Sequence, residues 1–221
     1  MNIENLSVSY GENKVFENFS LELKEGDITC VLGRSGVGKT TLLKCLAGLI
    51  KGVPNTLEGG VSMVFQEPRL LPNLTVKENL LFAGAKSKDI KTALIYVGLK
   101  GKENVRPTAL SGGEKQRVSF LRAMLSGANT VLLDEPFSSL DLATKISLAK
   151  TFVSMIKSAN KSAIFVTHDV EEAMMVADRV ILLSGGKITL DIKLDGAPFR
   201  DYGANLTERK IIVDTILKSN A

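Results

Sequence analysis

The residues with the clearest chemistry lie in "GRSGVGKT", Gly33 to Thr40, which matches G-x-x-x-x-G-K-[ST]. An apolar run, "ITCVL" from Ile28, precedes it and "TLLKCLAGLI" follows, so the segment reads as strand, loop and helix. Glycines let such a loop curl until successive backbone amides face one anion, and the helix start adds the positive end of its dipole. Gly33, Arg34, Ser35, Gly36, Val37, Gly38 and Thr41 form or flank that cradle. Lys39 supplies a charge for the outer phosphates of a nucleotide, and Thr40 a hydroxyl for a magnesium ion. A glycine turn that merely joins a strand to a helix needs neither side chain.

Two further stretches extend this chemistry. "VLLDEP", Val131 to Pro136, ends an apolar run with two carboxylates, at the kind of strand end where ligands of open parallel sheets gather. Asp134 is placed to hold the water shell of a magnesium ion, which leaves Glu135 to orient or deprotonate an attacking water. The plainer alternative makes Glu135 a turn residue before Pro136. In "ALSGGEKQR", Ala109 to Arg117, Ser111 and Glu114 have capping-box spacing, which by itself explains a well-started helix. Gly112 and Gly113 ask for more, because they remove side chains where a backbone must approach something closely. One triphosphate is already wrapped by its own loop, so a second anion-binding helix start most simply meets a nucleotide held by another copy, as a two-fold dimer would arrange twice.

These residues need a scaffold, and the pattern supplies one. Short β-rich runs at Ile28, Val61, Val131, Ala163 and Arg179 alternate with helical stretches, as in a parallel sheet. "NIENLSVSY" and "FENFSLEL" read instead as an antiparallel layer joined through "GENK". From about Gln66 to Gly127 no strand is predicted, while "TVKENLLFAGA", "KDIKTALIYVGL" and "EKQRVSFLRAML" carry helical periodicity. The predicted fold is therefore α/β, with a mostly parallel core over residues 1–66 and 128–221 and an inserted helical subdomain over 67–127. "LTERKIIVDTILK" places Ile212 and Ile216 at helical spacing, as expected of a helix packed back on the body.

Composition narrows the classes. The 221 residues are 44% hydrophobic, enough for one real core. No apolar run is long enough to cross a bilayer, and the first residues lack the basic-then-apolar pattern of a secretory signal. Cys30 and Cys45 flank the phosphate loop without metal-type spacing, so buried thiols in a reducing compartment are expected. A net charge of +4 admits an anionic partner, but with no Trp and 5% aromatics there is no stacking platform for nucleic acid.

Taken jointly, these motifs closely resemble the ATP-binding cassette (ABC) family of ATPases over nearly the whole chain. "GRSGVGKT" is similar to the family's Walker A, "LSGGE" to its signature motif, "VLLDE" to its Walker B, "SSLD" at Ser138 to Asp141 to its dimer-contact loop, and "THD" to its histidine switch. The resemblance implies a P-loop NTPase core, Mg2+ and ATP as cofactors, and a head-to-tail dimer with each ATP between the Walker A of one copy and Ser111, Gly112, Gly113 and Glu114 of the other. It implies that His168 senses the γ-phosphate and helps Glu135 hold the water. Gln66 is implied as a magnesium and water contact beside Thr40 and Asp134, and Tyr10 as an adenine-stacking ring. Read from the residues alone, Gln66 could be a turn residue and Tyr10 packing, and Asp169 and Glu172 are candidate caps of the helix after His168.

"QEPRLLPNLTVKENL" further resembles the import-type ATPases of nitrate, sulfonate and taurine transporters, with Asn73 where many carry Trp. The implied partners are a second copy, membrane permease subunits and a solute-binding protein, at the cytoplasmic face of the membrane. Leu70 and Leu71 are either internally packed or line a groove for a permease helix. Non-transport ABC ATPases are disfavoured: sustained heptads of a coiled-coil insertion are absent, and there is one cassette.

Overall fold

In the computed structural model, which describes residues 2–51, 53, 57, 59–138, 140–201 and 206–218, the chain forms two sheets. β1 (Asn2–Tyr10) and β2 (Asn13–Glu22) pair antiparallel as a sheet of their own. The second sheet contains β3 (Ile28–Leu32), β4 (Val61–Val64), β5 (Thr130–Asp134), β6 (Ser162–Thr167), β7 (Arg179–Ser184) and β8 (Lys187–Lys193). Its order is β4-β5-β6-β3-β7-β8, parallel throughout except for β8, which runs antiparallel to β7.

The core strands carry almost no polar residues because both faces are covered. Ile28, Cys30, Leu32, Val131, Leu133 and Phe165 point into one apolar cluster. Their neighbours Val31, Leu132, Ile164 and Val166 point into the other, against Phe16, Phe19 and Leu21 of the hairpin and Leu42, Leu43 and Leu46 of α1 (Lys39–Leu46). The two-residue period thus puts a layer on each side of one sheet. Because β3, β5 and β6 run parallel, they end at one edge of the sheet, and so do the segments that follow them: the phosphate loop, Glu135 and His168.

Between β4 and β5 the chain forms α2 (Val76–Phe82), α3 (Ser87–Tyr96), a 3-10 turn and α4 (Gly112–Met124), with no strand among the described residues. α5 (Leu142–Ser158) and α6 (Val170–Val176) follow β5 and β6. Phe120 of α4, Phe137 after Glu135, Phe152 of α5 and Phe165 of β6 meet edge to face, with neighbouring centroids 6.1–6.5 Å apart. That cluster joins the helical insertion to the sheet edge through desolvated aromatic contacts. α7 (Leu206–Lys218) lies against α6 and β8, with Ile212 fully buried.

β8 is an addition to the expected strands. Its residues alternate between exposed and half-buried, and Gly185 and Gly186, at φ 53° and 73°, make the tight turn from β7. That pair of positive φ values suits a two-residue hairpin whose twist matches the strands.

Candidate functional site

The phosphate loop is held by its surroundings. A Cβ on Gly33 would sit 2.6 Å from the Leu183 carbonyl oxygen, and one on Gly38, at φ 104°, 2.7 Å from Val15 Cγ1. Both glycines are required by close approach, and Gly38 by its left-handed backbone as well. Arg34, Ser35 and Gly36 form the exposed crest, while Val37, Gly38, Thr40 and Thr41 are half-buried. Lys39 is only 6% exposed. Its Nζ donates to the carbonyls of Gly33 (2.6 Å) and Arg34 (2.9 Å), so the charge already spans the loop. Burial lowers the Lys39 pKa from its ordinary value, against the opposing pull of Glu135 and Asp134.

Across the loop, Thr40 Oγ1 donates to Asp134 Oδ1 at 3.1 Å. Asp134 is 5% exposed, and burial pushes its pKa up more than the Thr40 hydroxyl lowers it. A buried carboxylate disfavoured as an anion, facing a hydroxyl, fits a divalent cation that would restore charge balance.

Glu135 follows at φ 46°, a conformation that non-glycine residues adopt at a cost. Its N–H donates to the Val166 carbonyl (3.0 Å), and its own carbonyl accepts from Ser138 Oγ (3.0 Å). The backbone so pinned directs the side chain to His168, whose Nδ1 lies 3.2 Å from Glu135 Oε1. The structure therefore brings together Lys39, Thr40, Asp134, Glu135 and His168. A cavity of about 100 Å3 beside them is walled by Gly33, Arg34, Val37 and His168, with Ile216 of α7 opposite.

Gln66 is exposed, two residues beyond β4, and Tyr10 ends β1 with 52% of its surface exposed. The segment after Gln66 is fixed from beneath. Arg69 stacks 4.0 Å over Phe65, Arg122 of α4 donates to the Arg69 carbonyl (2.6 Å), and fully buried Asn79 bonds Leu71 at both its N–H and carbonyl. Leu70 packs against the core and Leu71 is half-buried, so internal packing describes Leu70 better than an open groove does.

Ser111 caps α4 as its spacing predicts: Ser111 N–H donates to Glu114 Oε2 (2.9 Å) and Glu114 N–H to Ser111 Oγ (3.2 Å). The Ser111 N–H holds the Glu114 carboxyl below its ordinary pKa, helped by Lys102 at 3.2 Å. A Cβ on Gly112 would meet nothing within 4 Å, and one on Gly113 would make ordinary contacts with Leu140 Cδ2 at 3.6 Å and Arg117 Nη1 at 3.7 Å. Neither glycine is required by its own chain. In "SSLD", Ser139 lies outside the described residues, and Asp141 caps α5 by accepting from Thr144 N–H at 3.0 Å.

One expectation is corrected. Asp169 does cap α6, accepting from Glu171 N–H (2.9 Å) and Glu172 N–H (3.4 Å), but Glu172 is not a cap. It is 2% exposed and accepts from Thr167 Oγ1 at 2.7 Å. Both thiols are free and buried as expected, and burial pushes Cys45 to about 11 and Cys30 well above its ordinary value.

A nucleotide-binding edge of this kind, with an insertion displaying a second capped glycine pair, defines an ATP-binding cassette ATPase. The ABC transporter family model matches residues 16–138. An aliphatic sulfonates import ATP-binding protein, SsuB 1 of Pseudomonas syringae pv. tomato, is 39% identical over 207 residues, 91% of this chain and 76% of that protein. The SsuB of Corynebacterium glutamicum is 39% identical over 224 residues, covering 93% and 92%. Among solved structures, a dimeric ATP-binding cassette in a post-hydrolysis state with ADP and Pi has a TM-score of 0.76 at 28% identity, over 88% of this chain and 99% of that one. CbiO1 of Clostridium perfringens, part of the ABC transporter complex CbiONQ, shares the fold at a TM-score of 0.75 and 23% identity, over 98% of this chain and 94% of that one. The chain belongs to the ABC transporter family and is an ATPase of it.

Proposed function

We propose that the chain is the ATP-hydrolysing subunit of an importer and works as a head-to-tail dimer at the cytoplasmic face of the membrane, with permease subunits and a solute-binding protein as partners. Residues 1–66 and 128–221 act as the nucleotide-binding core and residues 67–127 as the helical subdomain that carries the signature. The observation that carries the reading is the 3.2 Å approach of His168 to Glu135, one strand away from the Thr40–Asp134 pair. It supports the reading because a carboxylate and an imidazole then stand together beside the loop that would receive phosphate and cation.

In this reading Lys39 leaves its two loop carbonyls for the outer phosphates, as a stronger charge-assisted bond replaces weaker ones. Tyr10 stacks on the adenine, its exposed ring free to receive it. Thr40, Asp134 and Gln66 would hold a Mg2+, which would neutralise charge on the phosphates. Glu135 accepts a proton from the attacking water, and His168 fixes that carboxylate and meets the γ-phosphate. Ser111, Gly112, Gly113 and Glu114 complete the site of the other copy: the absence of any neighbour to the Gly112 Cβ leaves an open backbone surface at a helix start. The names of the two bacterial relatives make aliphatic sulfonates the first cargo to test.

Glu135→Gln tests the reading. ATP affinity should persist while turnover falls by roughly a hundredfold or more, and ATP should accumulate a dimer in sedimentation. Near wild-type hydrolysis by that variant removes Glu135 from the chemistry.

A further inference from the structure

His168 is bracketed by a closed ring of polar contacts. On one side of it, Thr167 Oγ1 donates to Glu172 Oε2 (2.7 Å) and accepts from Asp169 N–H (3.1 Å). On the other, Asp169 caps α6 with Oδ1 and turns Oδ2 to Lys145 Nζ at 3.1 Å. Lys145 closes the ring through Glu172 Oε1 at 2.6 Å. Burial works against the Lys145 ammonium, but the hydrogen bonds and charges of Glu172 and Asp169 outweigh it and raise its pKa. One cation therefore faces two carboxylates, one of them fully enclosed.

The other end of Lys145 leads to a different functional segment. Its N–H donates to the Asp141 carbonyl at 2.8 Å, in the first turn of α5, and Asp141 is the cap that ends the segment following Glu135. Glu135 in turn contacts His168. A single side chain thus connects the α5 start to Asp169 directly and to Thr167 through Glu172.

We propose that Lys145 is a positioning residue for hydrolysis: it fixes the turn that presents His168 to Glu135 and couples that turn to the Ser138–Asp141 loop. The proposal rests on the roles of Glu135 and His168 given above. With Lys145 in place, displacement of the loop moves α5, and α5 carries Asp169 and Glu172 with it through the ammonium. Without it, the Thr167–Glu172 and Asp169–Thr167 bonds and the α6 cap remain, but the tie from the turn to α5 through the ammonium is lost, and His168 holds the carboxylate less firmly.

Steady-state ATPase of the full chain with Mg2+ and ATP, combined with thermal melting, tests this. Lys145→Met should lower kcat about tenfold with KM for ATP nearly unchanged, the size expected when one coupled contact in a network is lost. It should also lower the melting temperature, because Glu172 keeps a buried charge with its Thr167 hydroxyl but without a counter-ion. Lys145→Met with Glu172→Gln removes that charge, so melting should recover while kcat stays low. Lys145→Arg should recover both. His168→Ala should lower kcat, and Lys145→Met added to it should cost little more, since both act through one group. A double variant Lys145→Met/Glu172→Gln at wild-type kcat reduces Lys145 to charge balance and overturns the proposal, as does a full multiplicative loss on the His168→Ala background. Wild-type turnover in His168→Ala is a separate outcome: it removes the role of His168 itself, and the proposal with it.

Discussion

α2 and α4 begin with the same device and differ in what it encloses. At α2, Thr75 N–H donates to Glu78 Oε2 (2.7 Å) and Glu78 N–H to Thr75 Oγ1 (3.3 Å); at α4, Ser111 and Glu114 repeat both bonds at 2.9 and 3.2 Å. The residues between are Val76 and Lys77 in one box, Gly112 and Gly113 in the other. Val76 is fully buried, so the first box also anchors its helix in the core. A capping box therefore forms without glycine, so the box alone does not require the glycine pair of α4, which in the proposed reading faces the nucleotide of another copy. The phosphate loop makes the opposite contrast, since Gly33 and Gly38 are demanded by Leu183 and Val15 of the same chain.

The largest effect expected from that contrast is at the self-contained loop. Lys39→Ala removes the charge for the outer phosphates, and calorimetry should show ATP affinity falling by roughly tenfold or more. Unchanged affinity would make the Lys39 contacts to Gly33 and Arg34 purely structural. Next comes the open pair. Gly112→Ala should leave monomer stability unchanged or raise it by up to about 1 kcal/mol, since alanine is the better helix former, yet lower turnover by crowding the partner's nucleotide. If turnover tracks stability instead, the glycines belong to the helix after all.

Much of this was legible in the chain. The phosphate loop, the Asp134–Glu135 pair and the Ser111–Glu114 box are local patterns whose physics is complete within a few residues, and each appears where its spacing predicts. The strands β3, β5, β6 and β7 announce themselves as apolar runs because both faces are buried. β8 carried a signal too, strict alternation in "KITLDIK" behind a Gly-Gly turn, but its charged edge character hid it among polar residues. What spacing cannot show is pairing across the fold. In the sequence Glu172 reads as a candidate cap and Lys145 as one charge among many, and only the packing of α5 on α6 pairs the half-buried ammonium with the buried carboxylate. The order of the sheet, which puts His168 between the phosphate loop and Glu135, is likewise a tertiary fact.

Smaller effects sharpen the comparison of the two boxes. Thr75→Ala should cost about 1 kcal/mol in chemical denaturation, the usual loss for a cap, with turnover per folded molecule unchanged. A fall in turnover per folded molecule would mean that α2 also reports to the nucleotide. The smallest effect is the pH response. The capping bonds hold both Glu78 and Glu114 below the ordinary carboxylate range, so their contribution to stability is full above that range and is lost as pH falls through the depressed values. Glu78→Gln and Glu114→Gln should each flatten the acid limb of a stability profile, and by similar amounts. A flatter limb from only one of them would show that the boxes are not equivalent as caps.

The central claim is that Ser111, Gly112, Gly113 and Glu114 act on the nucleotide of another copy, and sedimentation velocity of Ser111→Arg with Mg2+ and ATP tests it most directly, with Glu135→Gln as the background that blocks turnover. The Glu135→Gln chain should shift to a dimer on adding ATP, whereas Glu135→Gln with Ser111→Arg should bind one ATP per monomer and remain monomeric. An ATP-driven dimer of the same stability in the Ser111→Arg chain would contradict the claim and leave the glycine pair of α4 without a partner.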